Sequence, residues 1–397
     1  MTSLPSPSPP RPSPPILTRW YIDTRPLTAT TQSLPFLSTL QEADQTTVKA
    51  FYHLSDRHMS LASYLLKYLF IHRTCRVPWN QIVISRTPAP HKRPCYIPQH
   101  QPETPLRLPG NENQTPISNI EFNVSHQASL IALAGCISGP ALPRAEDISS
   151  AQPRATPGAA NNSHSSPVQI GIDITCTDDP TRRNRSPPKT EAELHSFVDI
   201  FSEVFSQNEL DAMKADPRIC SGRSSSASAS ASASASTSSM TKAMSLQDSI
   251  THRIRLFYTY WALKEAYIKM TGEALLAPWL RDLEFRNVTV PTPPPPSPDS
   301  AASLSSSLWG VPETGVRATL YGHEVPEVRL EVVAFGNDYI FATAARGGGV
   351  GNSMVDMVDE REQGQEGNVW GRWDEFRLVD IERDIGPCAR GECQCLD

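Results

Sequence analysis

The chain has 397 residues, with 36 Lys and Arg against 42 Asp and Glu and a formal net charge of −6. That balance offers no global basic field to nucleic acid, and no apolar run approaches the length of a bilayer span, so neither a nucleic-acid nor a membrane partner is expected. The start, MTSLPSPSPPRPSPP, lacks the apolar region of a signal peptide, and a soluble cytoplasmic enzyme is the expectation.

In chain order, residues 1–15 read as a disordered Pro/Ser tail and 16–137 as an N-terminal lobe. That lobe opens on a strand at 19–24 and continues into a long apolar helix from Ser55, a plausible N-cap, through His72. A strand at 82–85 precedes the polar loop 98–116. Residues 120–137 read as strand, polar break and strand, with Asn123, Ser125 and His126 at the break. Residues 138–166 have no periodicity and form a linker.

The C-terminal lobe, 167–346, begins with VQIGIDIT, in which Val168, Ile170, Ile172 and Ile174 alternate. Helices are expected at 191–205 and 206–215, strands at 283–290, 328–335 and 339–344, and low-complexity insertions at 216–249 and 291–307. The Ser/Ala repeat inside the first insertion buries too little apolar surface to offset its ordering entropy. Residues 347–397 are expected as a flexible, charged tail, whose VWGRWDEFRLVDIERD segment is a docking candidate with no assigned surface. Cys388, Cys393 and Cys395 lie close together there. A soft-metal site is one reading, but the sequence has no matching second cluster, and an untidy terminus is the other.

The stretch FYTYWALKEAYIKM, residues 257–270, carries most of the chemistry. On a helical wheel Phe257, Tyr260, Trp261, Leu263, Tyr267 and Ile268 fill one apolar arc, with Lys264 inside it and Glu265 at its edge. A charge inside a buried arc needs a partner. Glu265 and Lys269 are spaced for a surface helix pair, and that is the plain alternative to a catalytic reading. Asp173 stands on the polar phase of its strand, where a carboxylate suits a hard cation such as Mg²⁺, or merely caps the following turn. Gly171, two residues earlier, permits close backbone approach.

Asn123-Val124-Ser125-His126, then Gly171-Ile172-Asp173, then Trp261-x-x-Lys264-Glu265-x-x-x-Lys269, in this order and spacing, resemble the Sfp-type 4′-phosphopantetheinyl transferases. Residues 51–73 look like that family's first-lobe helix, and RTPAPHKRPCY, 86–96, is similar to its nucleotide segment. The long Pro/Ser and Ser/Ala insertions resemble filamentous-fungal members most. Three positions depart from the pattern: Thr175 stands where bacterial members have a second acid, Met59 where the family has an Arg, and His91 where it has a Gly.

The resemblance implies an α+β fold made of a pseudo-symmetric pair of α/β lobes, working as a monomer. It implies transfer of 4′-phosphopantetheine from coenzyme A to a Ser of an apo carrier protein, with release of 3′,5′-ADP. The carriers would belong to fatty-acid, polyketide, non-ribosomal peptide or aminoadipate reductase systems. On this reading Asp173 and Glu265 hold Mg²⁺, Glu265 is the base, and Lys269 holds the phosphates or the leaving group. Lys264 is neutralised by the pyrophosphate. Arg86, Lys92, Arg93, Asn123, Ser125 and His126 hold the nucleotide end, and Arg57 or Lys67 substitutes for the Arg missing at Met59. A non-catalytic CoA- or carrier-binding module and another CoA-dependent transferase are the rivals, although the second would want a His base or Cys nucleophile that no motif here supplies.

Overall fold

Two sheets with the same internal strand order organise the chain. The computed structural model describes residues 16–88, 93–98, 120–137, 167–178, 187–220, 244–273, 277–294, 308–351 and 372–396. The first lobe runs β1 (Ile16–Asp23), α1 (Arg25–Thr30), α2 (Glu42–Lys49), α3 (Leu54–Cys75), β2 (Ile84–Arg86), β3 (Pro94–Tyr96), β4 (Ile120–Gln127) and β5 (Leu130–Ile137). The second runs β6 (Gln169–Cys176), α4 (Glu191–Asp199), α5 (Gln207–Lys214), α6 (Pro217–Cys220), α7 (Leu246–Thr271), β7 (Leu283–Arg286), β8 (Arg317–Leu320), β9 (His323–Glu324), β10 (Val328–Phe335) and β11 (Tyr339–Arg346). The central sheets are ordered β1-β5-β4 and β6-β11-β10, each antiparallel, so each lobe is a strand, a long helix and a closing hairpin. This is the pseudo-symmetric α+β pair expected. Among the described residues no helix is long and apolar enough to cross a membrane.

The long helices explain themselves from sequence. In α7 a capping box at Ser245 and Asp248 satisfies the first amides, and Gly272, at φ 84°, ends the helix in the left-handed conformation. Its buried face, Phe257, Leu263, Ala266, Tyr267, Ile268 and Met270, forms the second lobe's core with Phe197, Phe201 and Phe205. A fully buried Leu, Ile, Phe or Met side chain in such a core contributes about 1.5–3 kcal/mol. Trp261 belongs to this packing, with its ring 6.3 Å from that of Phe257 and 5.7 Å from that of Phe201. Where α7 crosses β6, a Cβ on Gly171 would lie 1.9 Å from the Ala266 carbonyl oxygen. Glycine is therefore the condition for seating the helix directly on the strand.

The lobes meet along β4 and β6, whose edges run alongside each other with side chains in place of a backbone ladder. Ile172 N donates to Asn123 Oδ1 at 3.2 Å, Ile174 N to Ser125 Oγ at 3.2 Å and Cys176 N to Gln127 Oε1 at 3.1 Å. Every second residue of β4 thus satisfies every second amide of β6. The polar break expected at Asn123–His126 is consequently absent: residues 120–127 form one continuous strand, and the turn falls at Ala128 and Ser129, both at positive φ (45° and 72°). No Gly or Asn marks that turn, while the polar side chains that look like a break are serving the neighbouring lobe.

Two further boundaries shift. Residues 216–220 and 244–249, assigned in sequence to an insertion, include α6 and the first turn of α7, tied by Ser249 Oγ donating to Asp216 Oδ1 at 2.9 Å. Residues 372–396, expected to belong to a flexible tail, form β12 (Arg372–Leu378), a π turn (Ile381–Ile385) and α8 (Gly386–Arg390). β12 pairs parallel with β1, extending the first sheet. Phe376 stacks on Trp309 of the second lobe at 4.7 Å, and Trp373 Nε1 donates to Val350 O at 2.9 Å, so this strand straps both lobes. The expected tail 1–15, linker 138–166 and Ser/Ala tract lie outside the described residues.

Candidate active site

Four polar side chains from three elements converge at the lobe junction. Asp173, on β6, is buried; its Oδ1 accepts from Lys269 Nζ of α7 at 2.7 Å and from Ser125 Oγ of β4 at 3.2 Å, and its Oδ2 accepts from Thr175 Oγ1 at 2.8 Å. Ser125 Oγ also accepts from Lys269 Nζ at 2.9 Å and from Ile174 N, which uses the full capacity of a hydroxyl. Thr175, standing where a second acid would be, serves as a neutral donor to the first.

Glu265 lies one turn before Lys269 on α7 and is half-buried. Burial, then the charge of Asp173, push its carboxyl up to about 7, with Lys269 pulling the other way. Among the described residues no ion pair joins Glu265 to Lys269; the ammonium is committed to Asp173. The surface-pair reading of this spacing therefore does not hold. Two carboxyl groups close enough to repel, one already lifted towards neutral pH, suit a hard divalent cation that takes only oxygen ligands.

Cations line the other side. Burial, then Lys269 and Lys67, hold the His126 pKa below its ordinary value, although the residue as a whole is exposed. Lys67, buried on α3 with Nζ 3.8 Å from the centre of the Tyr64 ring, is lowered to about 8, chiefly by burial; Asp44 opposes the shift and Arg86 adds to it. His126 thus feels the charges of Lys269 and Lys67, and Lys67 that of Arg86, an arrangement that favours a polyanion. Arg86 is at the exposed end of β2. Of the two proposed substitutes for the missing Arg, Arg57 is occupied locally, donating to Phe51 O at 2.6 Å. Met59 itself accepts the Ser129 amide through sulfur at 3.2 Å, beneath the β4–β5 turn.

Three expectations change. Lys264 is fully buried in the second lobe, 3.0 Å from Glu209 Oε2, and donates to the Leu280 and Leu283 carbonyls. Its partner is therefore Glu209 and not a pyrophosphate. Burial drives the ammonium pKa down and the carboxyl pKa up, each opposed by the other's charge. Glu209 is visible in sequence as the third residue of the Ser206 capping box, but its turn towards the core is not. Arg93 is an inter-lobe clamp: it donates to Glu121 Oε1 at 2.6 Å, to Ile170 O at 2.9 Å and to Met270 O at 3.2 Å. Asn123 is in the lobe seam through its oxygen. Lys92 lies outside the described residues.

Comparison with known proteins decides the family. Residues 28–138 match the model of the 4′-phosphopantetheinyl transferase N-terminal domain and residues 169–309 that of the 4′-phosphopantetheinyl transferase superfamily. The chain belongs to the 4′-phosphopantetheinyl transferases. It is 52% identical over 386 residues to 4′-phosphopantetheinyl transferase A of Aspergillus fumigatus, covering 96% of each chain. It is 50% identical over 382 residues to 4′-phosphopantetheinyl transferase NpgA of Emericella nidulans, again covering 96% of each. A 4′-phosphopantetheinyl transferase of Aureobasidium melanogenum is 31% identical over 357 residues, 83% of this chain and 91% of that one. The protein is thus an enzyme that transfers a phosphopantetheine group, and the non-catalytic reading is set aside.

Proposed function

We propose that the junction of β4, β6 and α7 transfers 4′-phosphopantetheine from coenzyme A to a serine of an apo carrier protein. The observation that carries this reading is the meeting of Asp173 and Glu265 with Lys269, beside the cationic side formed by His126, Lys67 and Arg86. The cations hold the phosphates and adenosine end of CoA; Lys269, a point charge beside Asp173, faces the pyrophosphate.

Glu265 takes the proton of the incoming serine hydroxyl, directly or through a water. The serine oxygen forms a new bond to the pantetheine-side phosphorus, and the bond from that phosphorus to the leaving 3′,5′-ADP breaks. Burial around Glu265 keeps its carboxyl basic enough to accept a proton near neutral pH. Asp173 and Glu265 would hold Mg²⁺, which when bound neutralises charge on the pyrophosphate oxygens. Ser125 and Thr175 fix the orientation of Asp173.

With both lobes in one chain, the site needs no second copy, and the enzyme acts as a monomer. The carriers are those of fatty-acid, polyketide and non-ribosomal peptide synthesis and of lysine-forming aminoadipate reductase. Incubation with CoA, Mg²⁺ and an apo carrier domain, followed by mass measurement of the carrier, tests the reading. A gain of one phosphopantetheine that EDTA abolishes and Mg²⁺ or Mn²⁺ restores is expected; an acyl adduct, or no gain, overturns it.

A further inference from the structure

The end of the chain closes on the C-terminal part of α3. His72, Cys388, Cys393 and Cys395 each offer one ligand atom, and all four atoms lie within 4.8 Å of one another. His72 Nε2 is 3.0 Å from Cys393 Sγ, and Cys388 Sγ is 3.8 Å from Cys395 Sγ. A tetrahedral zinc with Zn–S bonds of about 2.3 Å has sulfur atoms about 3.8 Å apart along each edge. The separation of Cys388 and Cys395 is that of co-ligands rather than of a disulfide, whose sulfur atoms lie about 2 Å apart.

We propose that these four side chains form a structural Cys₃His zinc site that fastens the C-terminal segment to the first lobe. The histidine is already set for this role. His72 Nδ1 is 2.7 Å from Val77 O, and a carbonyl can only accept, so Nδ1 carries the proton and Nε2 presents its lone pair to the sulfur atoms. His72 and Cys388 are buried, whereas Cys393 and Cys395 remain partly exposed, which leaves a route for the ion. Gly391, left-handed at φ 74°, turns the chain back after α8 so that Cys393 and Cys395 return beside Cys388. The thiols bind as thiolates and release their protons to solvent. Arg73, next in sequence to His72, donates to Asp384 O at 2.9 Å and stands near enough to Cys388 to offset the net negative charge of three thiolates on one zinc ion. With four protein ligands no coordination position is left for substrate, so the role is structural.

The full-length enzyme, expressed with zinc and dialysed, should carry one zinc per chain by elemental analysis. Asp173→Ala should keep it, and Cys393→Ser with Cys395→Ser should lose it. Cobalt exchanged into the wild type should give thiolate charge-transfer absorption and the intense d–d bands of a tetrahedral ion. Should the cysteine variants fail to fold, His72→Cys and His72→Phe decide the matter, because the first preserves a ligand and should retain zinc while the second should not. Wild-type enzyme without zinc or a tetrahedral cobalt spectrum, a Cys388–Cys395 disulfide in the folded protein, or full zinc in His72→Phe would overturn the proposal.

Discussion

Lys269 donates to Asp173 at 2.7 Å across the interface between α7 and β6, and forms no ion pair with Glu265, one turn back on its own helix. This division of partners separates the two acids by role. Asp173 is held in a fixed, hydrogen-bonded position, while Glu265 has a carboxyl displaced to about 7 by burial and by Asp173.

Glu265→Gln is expected to lower turnover by roughly 10²-fold or more, the scale of a lost general base, with little change in CoA affinity. A pH signature accompanies it. The folded carboxyl keeps its proton up to about 7, whereas the unfolded one releases it near 4.5, so stability in metal-free buffer falls as pH rises through this interval. Denaturant titrations should show that slope in wild type, on the order of 1–3 kcal/mol in total, and a flatter profile in the variant. Normal turnover in Glu265→Gln would remove it from the chemistry.

Lys67 tests the phosphate side. Its pKa, lowered from 10.5 to about 8, means that the folded enzyme binds fewer protons than the unfolded chain between those values. Stability therefore rises with pH across that window, and below about 8 the full penalty of a buried charge applies. At pH 7, Lys67→Met should stabilise the protein by on the order of 2 kcal/mol yet weaken CoA binding about tenfold, a loss of about 1.4 kcal/mol. Calorimetric titration with CoA that shows unchanged affinity would exclude Lys67 from the site.

For Lys264 and Glu209 the expected phenotype is structural. Lys264→Met leaves a buried carboxylate without its partner and should cost about 3–5 kcal/mol, and the double variant with Glu209→Leu should recover much of it. The folded fraction of either should bind CoA as wild type does. A variant of full stability with lost CoA affinity would return Lys264 to the phosphate site.

Asn123→Ala removes the acceptor for Ile172 N in the lobe seam and should cost about 1–3 kcal/mol, the penalty of an unsatisfied buried amide. Because it touches neither Asp173 nor Glu265, turnover per folded molecule should be nearly unchanged. An equilibrium denaturation curve paired with a rate measurement separates the two effects.

Much of this is legible in the sequence itself. The apolar arc of α7, the alternation of β6 and the ordered motifs point to Asp173, Glu265 and Lys269, which the fold brings to one junction, because periodicity and short-range spacing record which residues share a face. What failed was assignment of polar groups between elements. Asn123 and Arg93 look like ligand donors until the lobe seam claims them, and Lys264 looks like a phosphate partner until Glu209, remote in sequence, takes its charge. That the docking segment is strand β12 is not legible in the sequence, since its pairing depends on β1, over three hundred residues away, and no local pattern encodes such a partner.

That last pairing orders events during synthesis. β1 leaves the ribosome early, and β5 follows to cover one of its edges, but the other edge has no strand until Arg372–Leu378 has been made. A nascent chain, or one cut short before residue 372, therefore carries an open sheet edge at the centre of its first lobe, free to recruit the same edge of another unfinished copy. Truncation would register first as lost solubility, well before any effect on the chemistry of a site built from β4, β6 and α7.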